Sequence, residues 1–198
     1  MRILVIGATG TIGRAVVDAL GPGNEIIAAS RKSSPVSVDI GDVASIQAMY
    51  RTVGEVDAVL CAAGDARFKP LGELADDDFA FSLSNKLMGQ VNVVRYGFEA
   101  VRDGGSFTLT SGVMAREPMP GGAAISMVNS ALEGFARGAS IEAPRGIRVN
   151  VVSPPWVTET LQAFGMDTSI GLPAAEVARA YVESVTGKAT GSVIDPRR

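Results

Sequence analysis

The sequence predicts an α/β fold: a doubly wound parallel sheet in a single three-layer α/β/α domain spanning residues 1–198. Three observations carry this prediction. Short apolar runs alternate with amphipathic stretches of helical length along the whole chain, the pattern of parallel strands joined by crossover helices. The first run, Ile3 to Ile6, holds no polar residue, as in a strand buried on both faces. Gly7, Gly10 and Gly13 follow it directly, which places a tight strand-to-helix turn at the first βα junction.

The elements follow in order. Arg2 to Ile6 is the first strand. The helix from Thr11 to Leu20 is stopped by Gly21-Pro22-Gly23, a glycine cap followed by proline. Glu25 to Ala29 is the second strand, and a short third strand ends at Val38-Asp39. A helix runs from Val43 to Val53, and Ala58 to Ala62 is strand four. After a loop over 64–75, a long helix extends from Asp76 to Val101, its Asp76-Asp77-Asp78 start placing negative charge at the positive dipole end. Gly104-Gly105 breaks it before strand five, Ser106 to Thr110. A glycine-rich loop leads to a helix from Ala123 to Glu142, then strand six, Ile147 to Val152. The loop after Pro154-Pro155 precedes a helix from Pro173 to Val185, and Ser192 to Asp195 is the last strand.

Composition narrows the function classes. The chain has 198 residues, is 46% hydrophobic and 20% charged, and carries a net charge of −3, so it suits one compact domain with no electrostatic footprint for nucleic acid or an anionic membrane surface. No apolar run is long enough to span a bilayer, and the N-terminus lacks the pattern of a signal peptide. The single cysteine, Cys61, permits no internal disulfide and fits a reducing cytoplasm. There is no histidine, which removes the commonest general base and metal ligand, and any Ser-His-Asp mechanism. No metal site is expected.

The turn Gly7-Ala8-Thr9-Gly10-Thr11-Ile12-Gly13 points to a dinucleotide. The glycines let the backbone approach a pyrophosphate, and the following helix directs its free N–H groups at it. About 20 residues on, an NAD site wants an acid for the ribose 2′-hydroxyl. None stands between Ile26 and Val38; Ser30-Arg31-Lys32 is there instead, which favours the 2′-phosphate of NADP(H). A solvated basic turn is the plainer reading of the same residues. Asp39 and Ile40 stand where they could flank an adenine, and Ala62-Ala63-Gly64 closes strand four with side chains small enough for close approach to a ribose.

These segments together resemble the short-chain dehydrogenase/reductase family along nearly the whole chain. Gly7, Gly10 and Gly13 resemble its cofactor turn, Val38-Asp39-Ile40 its adenine clamp, Ala62-Ala63-Gly64 its Asn-Ala-Gly motif without the Asn, and Phe107 to Ser111 the strand delivering its serine. Gly146 to Pro154 is very similar to its sixth strand, with Pro155 replacing the usual glycine. The resemblance implies a Rossmann fold, a nicotinamide cofactor, hydride transfer to or from a small-molecule carbonyl or alcohol, and a homodimer or homotetramer formed through the two long helices. It also implies cofactor contacts from Pro154, Val157 and Thr158, with Thr160 as the neighbouring alternative.

The resemblance breaks at the reacting centre. The family's Tyr and the Lys four residues later fall at Ile125 and Asn129, with register set by Ala131-Leu132-Glu133-Gly134-Phe135. Ser111 keeps the family's serine. The family's Asn on the long helix falls at Lys86, or at Asn85 one residue away, so Lys and Asn look exchanged, as in ketoreductase domains of polyketide synthases. Those domains keep the Tyr, whereas Tyr50, Tyr96 and Tyr181 match no such position. The implied catalytic set is Ser111, Lys86 and Asn129, with Lys86 also meeting the cofactor. Structural readings stand beside it: Ile125, Val128, Leu132 and Phe135 also fit a core stripe, Lys86 a solvated helix charge, and Asn129 a partner of backbone groups. Asp65, Arg67 and Lys69 fit a solvated loop or an anionic substrate. Two functions follow: an NADP(H)-dependent oxidoreductase of altered mechanism that tolerates an activated alkene better than a simple ketone, or a catalytically inactive NADP(H)-binding sensor or partner protein. The short loop from Trp156 to Leu172 would act as a lid over a small or open pocket.

Overall fold

The computed structural model describes Met1–Arg198. Seven parallel strands form one sheet: β1 (Arg2–Ile6), β2 (Glu25–Ser30), β3 (Val36–Ser37), β4 (Val56–Cys61), β5 (Val101–Thr110), β6 (Arg148–Val152) and β7 (Val193–Ile194). Their order across the sheet is β3-β2-β1-β4-β5-β6-β7. The chain winds outward in one direction from β1 to β3, then returns to β4 and winds the other way. The reversal leaves a crevice at the carboxyl ends of β1 and β4, where such sheets bind ligands.

The alternation of side chains along β1 explains the two layers of helices. Leu4 and Ile6 belong to a core of 22 buried residues shared with α2 (Val43–Val53), α4 (Gly89–Arg95) and α5 (Ala123–Glu142). Ile3 and Val5 face the opposite core of 15 buried residues, shared with α1 (Thr11–Leu20) and α7 (Ala174–Thr186). Both faces are dry, which is why the strand reads as an unbroken apolar run rather than an alternating one.

The long helix expected over Asp76–Val101 divides into three parts. An α-helical start, α3 (Asp76–Ser82), passes into a π-helical turn over Leu83–Met88 and then into α4, which ends at Arg95. The π turn inserts an extra residue per turn, and such insertions cluster at functional sites. The helix stops early because Gly97 lies against the Tyr50 ring, whose hydroxyl donates to the Val93 carbonyl at 2.7 Å. Val101 is already strand. It pairs with Val56, the chain bulges through Gly104 in a left-handed conformation (φ 72°), and pairing resumes at Ser106 with Ala58. The loop from Trp156 to Leu172 has structure of its own. Val157 bridges Leu172, enclosing α6 (Thr158–Ala163) and a 3₁₀ turn at Thr168–Ile170. No helix is long and apolar enough to cross a membrane.

Candidate functional site

Two cavities share a wall at the carboxyl end of β4, and together they form the crevice. The larger, about 590 Å³, is lined by Gly7, Thr9, Gly10, Ser30, Arg31, Lys32, Asp39, Ile40 and Asn85 among others. The smaller, about 260 Å³, is lined by Ile12, Lys86, Ser111, Ile125, Asn129, Pro154, Trp156, Val157 and Thr160 among others. Ala62, Ala63 and Gly64 border both.

At the first turn, Gly7 has φ 85°, and a Cβ there would lie 2.8 Å from the Ala62 carbonyl oxygen, so any other residue would force β1 and β4 apart. A side chain on Gly13 would collide with the Gly7 carbonyl, which lets α1 start immediately above the strand. The cap residue Gly10 has no side chain, no acid stands in the first turn, and the free N–H groups at the start of α1 remain available to an anion. Thr11 and Gly13 are not in the cavity lining; Gly13 acts through packing and Thr11 is exposed.

At the far end of the larger cavity, Arg31 and Lys32 are exposed cations on its wall. Ser30 lines the cavity but its hydroxyl is committed: it donates to the Lys32 carbonyl at 2.6 Å and pairs with the Ser34 hydroxyl at 2.9 Å. It shapes the turn carrying the two cations. Asp39 accepts from the Gly41 N–H at 3.0 Å, and Ile40 is packed against Gly89. Asn85 accepts from the Asp65 N–H at 2.8 Å.

Within the π turn, Asn85 lines the larger cavity and Lys86 the smaller. Lys86 is therefore not a solvated helix charge. Burial lowers its pKa from the ordinary lysine value, and Cys61 and Asp65 draw it partly back. Burial also pushes the Cys61 thiol up to about 11, which leaves it an inert core residue.

Ile125 is half-buried on the wall of the smaller cavity, whereas Val128 and Leu132 are fully buried behind it. Ile125 thus faces the site rather than the core, and its side chain has no ionisable proton. None of the tyrosines compensates: Tyr50 and Tyr181 are buried in the core, and Tyr96 packs beside Arg95. Asn129 is 2% exposed; its Nδ2 donates to the Gly112 carbonyl at 3.4 Å while its Oδ1 has no partner. Gln90 clamps the end of β5, donating to the Thr110 carbonyl at 2.9 Å and accepting from its N–H at 2.8 Å, which fixes where Ser111 emerges.

Thr158 does not reach the cavity. The Val157–Leu172 bridge starts α6 at Thr158 and packs its side chain against Gly171, so Thr160 lines the site instead. Arg67 and Lys69 are both paired with Asp78, at 3.5 and 2.9 Å, and stabilise the loop. Sequence reasoning missed Glu133. This carboxylate, 6% exposed, accepts from Ser111 Oγ at 3.2 Å, Ser153 Oγ at 3.0 Å and Arg116 Nη1 at 2.9 Å. The available signal was its spacing: Ile125, Asn129 and Glu133 recur every four residues on one helix face.

This fold and crevice define a doubly wound α/β protein. The chain belongs to the short-chain dehydrogenase/reductase family of oxidoreductases: residues 15–190 match the family model described as enoyl-(acyl carrier protein) reductase. A hydroxynaphthalene reductase of Aspergillus fumigatus is 29% identical over 167 residues, covering 78% of this chain and 61% of that protein. An uncharacterized oxidoreductase of Methylorubrum extorquens is 28% identical over 158 residues, covering 75% of this chain and 64% of the relative. The chain thus spans less than two thirds of the length of these curated relatives. Among solved structures, a protein from Listeria innocua shares 45% identity with a TM-score of 0.95 over 98% of both chains. A small-chain dehydrogenase solved in complex with NADPH has 25% identity and a TM-score of 0.86, covering 98% of this chain and 95% of that one.

Proposed function

We propose that this protein is an NADP(H)-dependent oxidoreductase acting on a small carbonyl, alcohol or activated alkene, without the family's Tyr. One observation carries the reading. A single crevice joins a glycine turn and two exposed cations, Arg31 and Lys32, to a second chamber holding Ser111, Lys86 and Asn129. The chain fits the cofactor on its own terms. Gly7 and Gly64 let the segments bordering the cavities pack closely, since a Cβ on Gly7 would meet the Ala62 carbonyl and one on Gly64 would meet Lys86, and Asn129 keeps a buried acceptor without a partner. A neighbour of the same fold was solved with NADPH.

In this reading, Gly7, Thr9, Gly10 and the start of α1 at Thr11 and Ile12 hold the diphosphate. Arg31 and Lys32 hold the 2′-phosphate. Asp39 and Ile40 flank the adenine, and Ala62 to Gly64 border the ribose. Pro154 and Val157 close the far side. When bound, a nicotinamide cofactor supplies or takes up a hydride. Lys86 and Asn129 would hold the nicotinamide end, against the apolar walls of Val113, Met114, Ile125 and Trp156. Lys86 is the cavity side chain able to release a proton, and burial brings its acidity closer to that needed near neutral pH. The reduced Cys61 fits a cytoplasmic setting, and self-association runs through the groove of Val94, Phe98, Phe135 and Ala139 between α4 and α5.

The test is a titration of NADPH and NADH against the emission of Trp156, the only tryptophan, followed by a turnover assay on carbonyls and enones. NADPH binds more tightly than NADH. Absence of binding at millimolar NADPH overturns the reading. A second reading, a cofactor-binding sensor, is favoured by Ile125 facing the chamber. It is the outcome if NADPH binds tightly and no carbonyl or enone is turned over.

A further inference from the structure

The smaller cavity is unusual in what its polar atoms can offer. Ser111 has one hydroxyl proton, and that proton is directed at Oε1 of Glu133, 3.2 Å away. Glu133 is held there by two further donors, Arg116 Nη1 at 2.9 Å and Ser153 Oγ at 3.0 Å, on the same oxygen. Arg116 is in turn fixed by Asp195 at 3.4 Å, which Arg197 holds at 2.7 Å. The carboxylate is ion-paired and acceptor-only, so the Ser111 proton has no reason to turn away from it. What Ser111 presents to the cavity is lone pairs. Asn129 lines the same cavity, but its unpartnered Oδ1 is buried from solvent, which leaves Ser111 as the acceptor the preference rests on. Ile125 contributes nothing polar. Lys86, lining the same cavity, is a cationic donor, so an oxygen bound here is met on both sides when it accepts from Lys86 and donates to Ser111, which a hydroxyl can do and a carbonyl cannot.

We infer that Glu133 is a positioning residue that locks Ser111 as a hydrogen-bond acceptor, so that the site binds the hydroxyl-bearing partner of a substrate pair in preference to its carbonyl form. The inference rests on reading the crevice as an oxidoreductase site. A ketone oxygen brought to Ser111 would set lone pairs against lone pairs. To accept it, Ser111 must break its bond to Glu133. An alcohol meets the site as it is built, and its O–H points at Ser111.

The test uses the full chain without cofactor, so that no turnover intrudes. Cyclohexanol and cyclohexanone are titrated separately while the indole N–H resonance of Trp156 is followed by NMR. Wild type binds cyclohexanol roughly tenfold more tightly than cyclohexanone, the size of effect one buried hydrogen bond produces. Glu133→Gln keeps an acceptor oxygen and keeps the preference. Glu133→Leu frees the Ser111 proton and brings the ratio to unity or below. Ser111→Ala, which leaves Glu133 and Arg116 paired, removes the preference by another route and covers the case in which Glu133→Leu does not fold. Wild type binding the ketone as well as the alcohol, or neither, overturns the inference, and so does Ser111→Ala retaining the alcohol preference. An NADPH titration of the same samples separates the two failures. NADPH binding without an alcohol preference sinks the role of Glu133 alone, whereas no NADPH binding sinks the assignment of the crevice.

Discussion

Gly64 leaves room for Lys86: a Cβ on Gly64 would stand 3.1 Å from the Lys86 Cα and 3.2 Å from its Cγ. The contact joins the end of β4 to the π turn and sets Lys86 on the smaller cavity, next to the wall that the two cavities share. Gly64 also has φ 123°, a conformation that costs a non-glycine residue about 1–3 kcal/mol. Gly64→Val therefore lowers stability by about that amount and displaces Lys86, weakening NADPH binding roughly tenfold. Thermal melts and Trp156 emission titrations check both effects. A variant that binds NADPH like wild type would show that the contact does not set the site.

Lys86 yields a pH-dependent prediction. Burial, the largest cause, lowers its pKa from 10.5. The charged form is thus less favoured in the folded chain than in the unfolded one. The penalty is full below the folded pKa and is relieved as pH rises from there toward the unfolded value. Lys86→Met removes the penalty, so the variant is more stable than wild type at pH 7, and the gap narrows in alkali as wild type sheds its charge. Urea midpoints at pH 7 and pH 10 measure this. Cofactor affinity moves the other way, falling roughly tenfold, because a charge kept at a cost in stability serves the site. A Lys86→Met protein less stable than wild type at pH 7 contradicts the assignment.

Under the proposed function, the two cations at the far end of the larger cavity are the groups that tell NADPH from NADH. Removing a charge-assisted contact to a phosphate costs about 1.5–3 kcal/mol. Arg31→Ala and Lys32→Ala each weaken NADPH binding by roughly tenfold or more and leave NADH binding within about twofold. Calorimetric titration of both cofactors against each variant is the measurement. An equal loss for NADPH and NADH would mean that neither side chain meets the 2′-phosphate.

The fold and much of the larger cavity's lining were legible because they depend on local signals. An apolar run, a glycine turn and two cations lie within the first 32 residues and need no long-range information. The substrate end was less legible, because its residues meet through a backbone irregularity. Leu83–Met88 is a π turn, a departure from helical period that no local signal announces, and within it Asn85 lines one cavity and Lys86 the other. The sequence left those two as alternatives for one position, whereas in the structure each lines a different cavity. Ser30 looked like a phosphate ligand by type alone, since nothing local showed that Lys32 and Ser34 would claim its hydroxyl. Glu133 served to align its segment, and its partners Ser153 and Arg116 lie 20 and 17 residues away in sequence.

Ile125 offers the sharpest test of the missing proton donor. It faces the cavity that holds Ser111 and Lys86, so a phenol placed there would meet the site rather than the core. A positioned acid contributes about 10²- to 10⁴-fold to a proton-coupled step. Ile125→Tyr therefore raises kcat for NADPH-dependent carbonyl reduction by at least about 10²-fold. Lys86 sets the size of the gain: its positive charge in the same cavity favours the phenolate and so strengthens the acid. The double variant with Lys86→Met loses most of the increase. Activated alkenes gain less than ketones, because their reduction depends less on a proton delivered to oxygen. Steady-state rates for a ketone and an enone with wild type, the single variant and the double variant decide the matter. A gain in Ile125→Tyr that survives Lys86→Met would place the lysine outside the proton path.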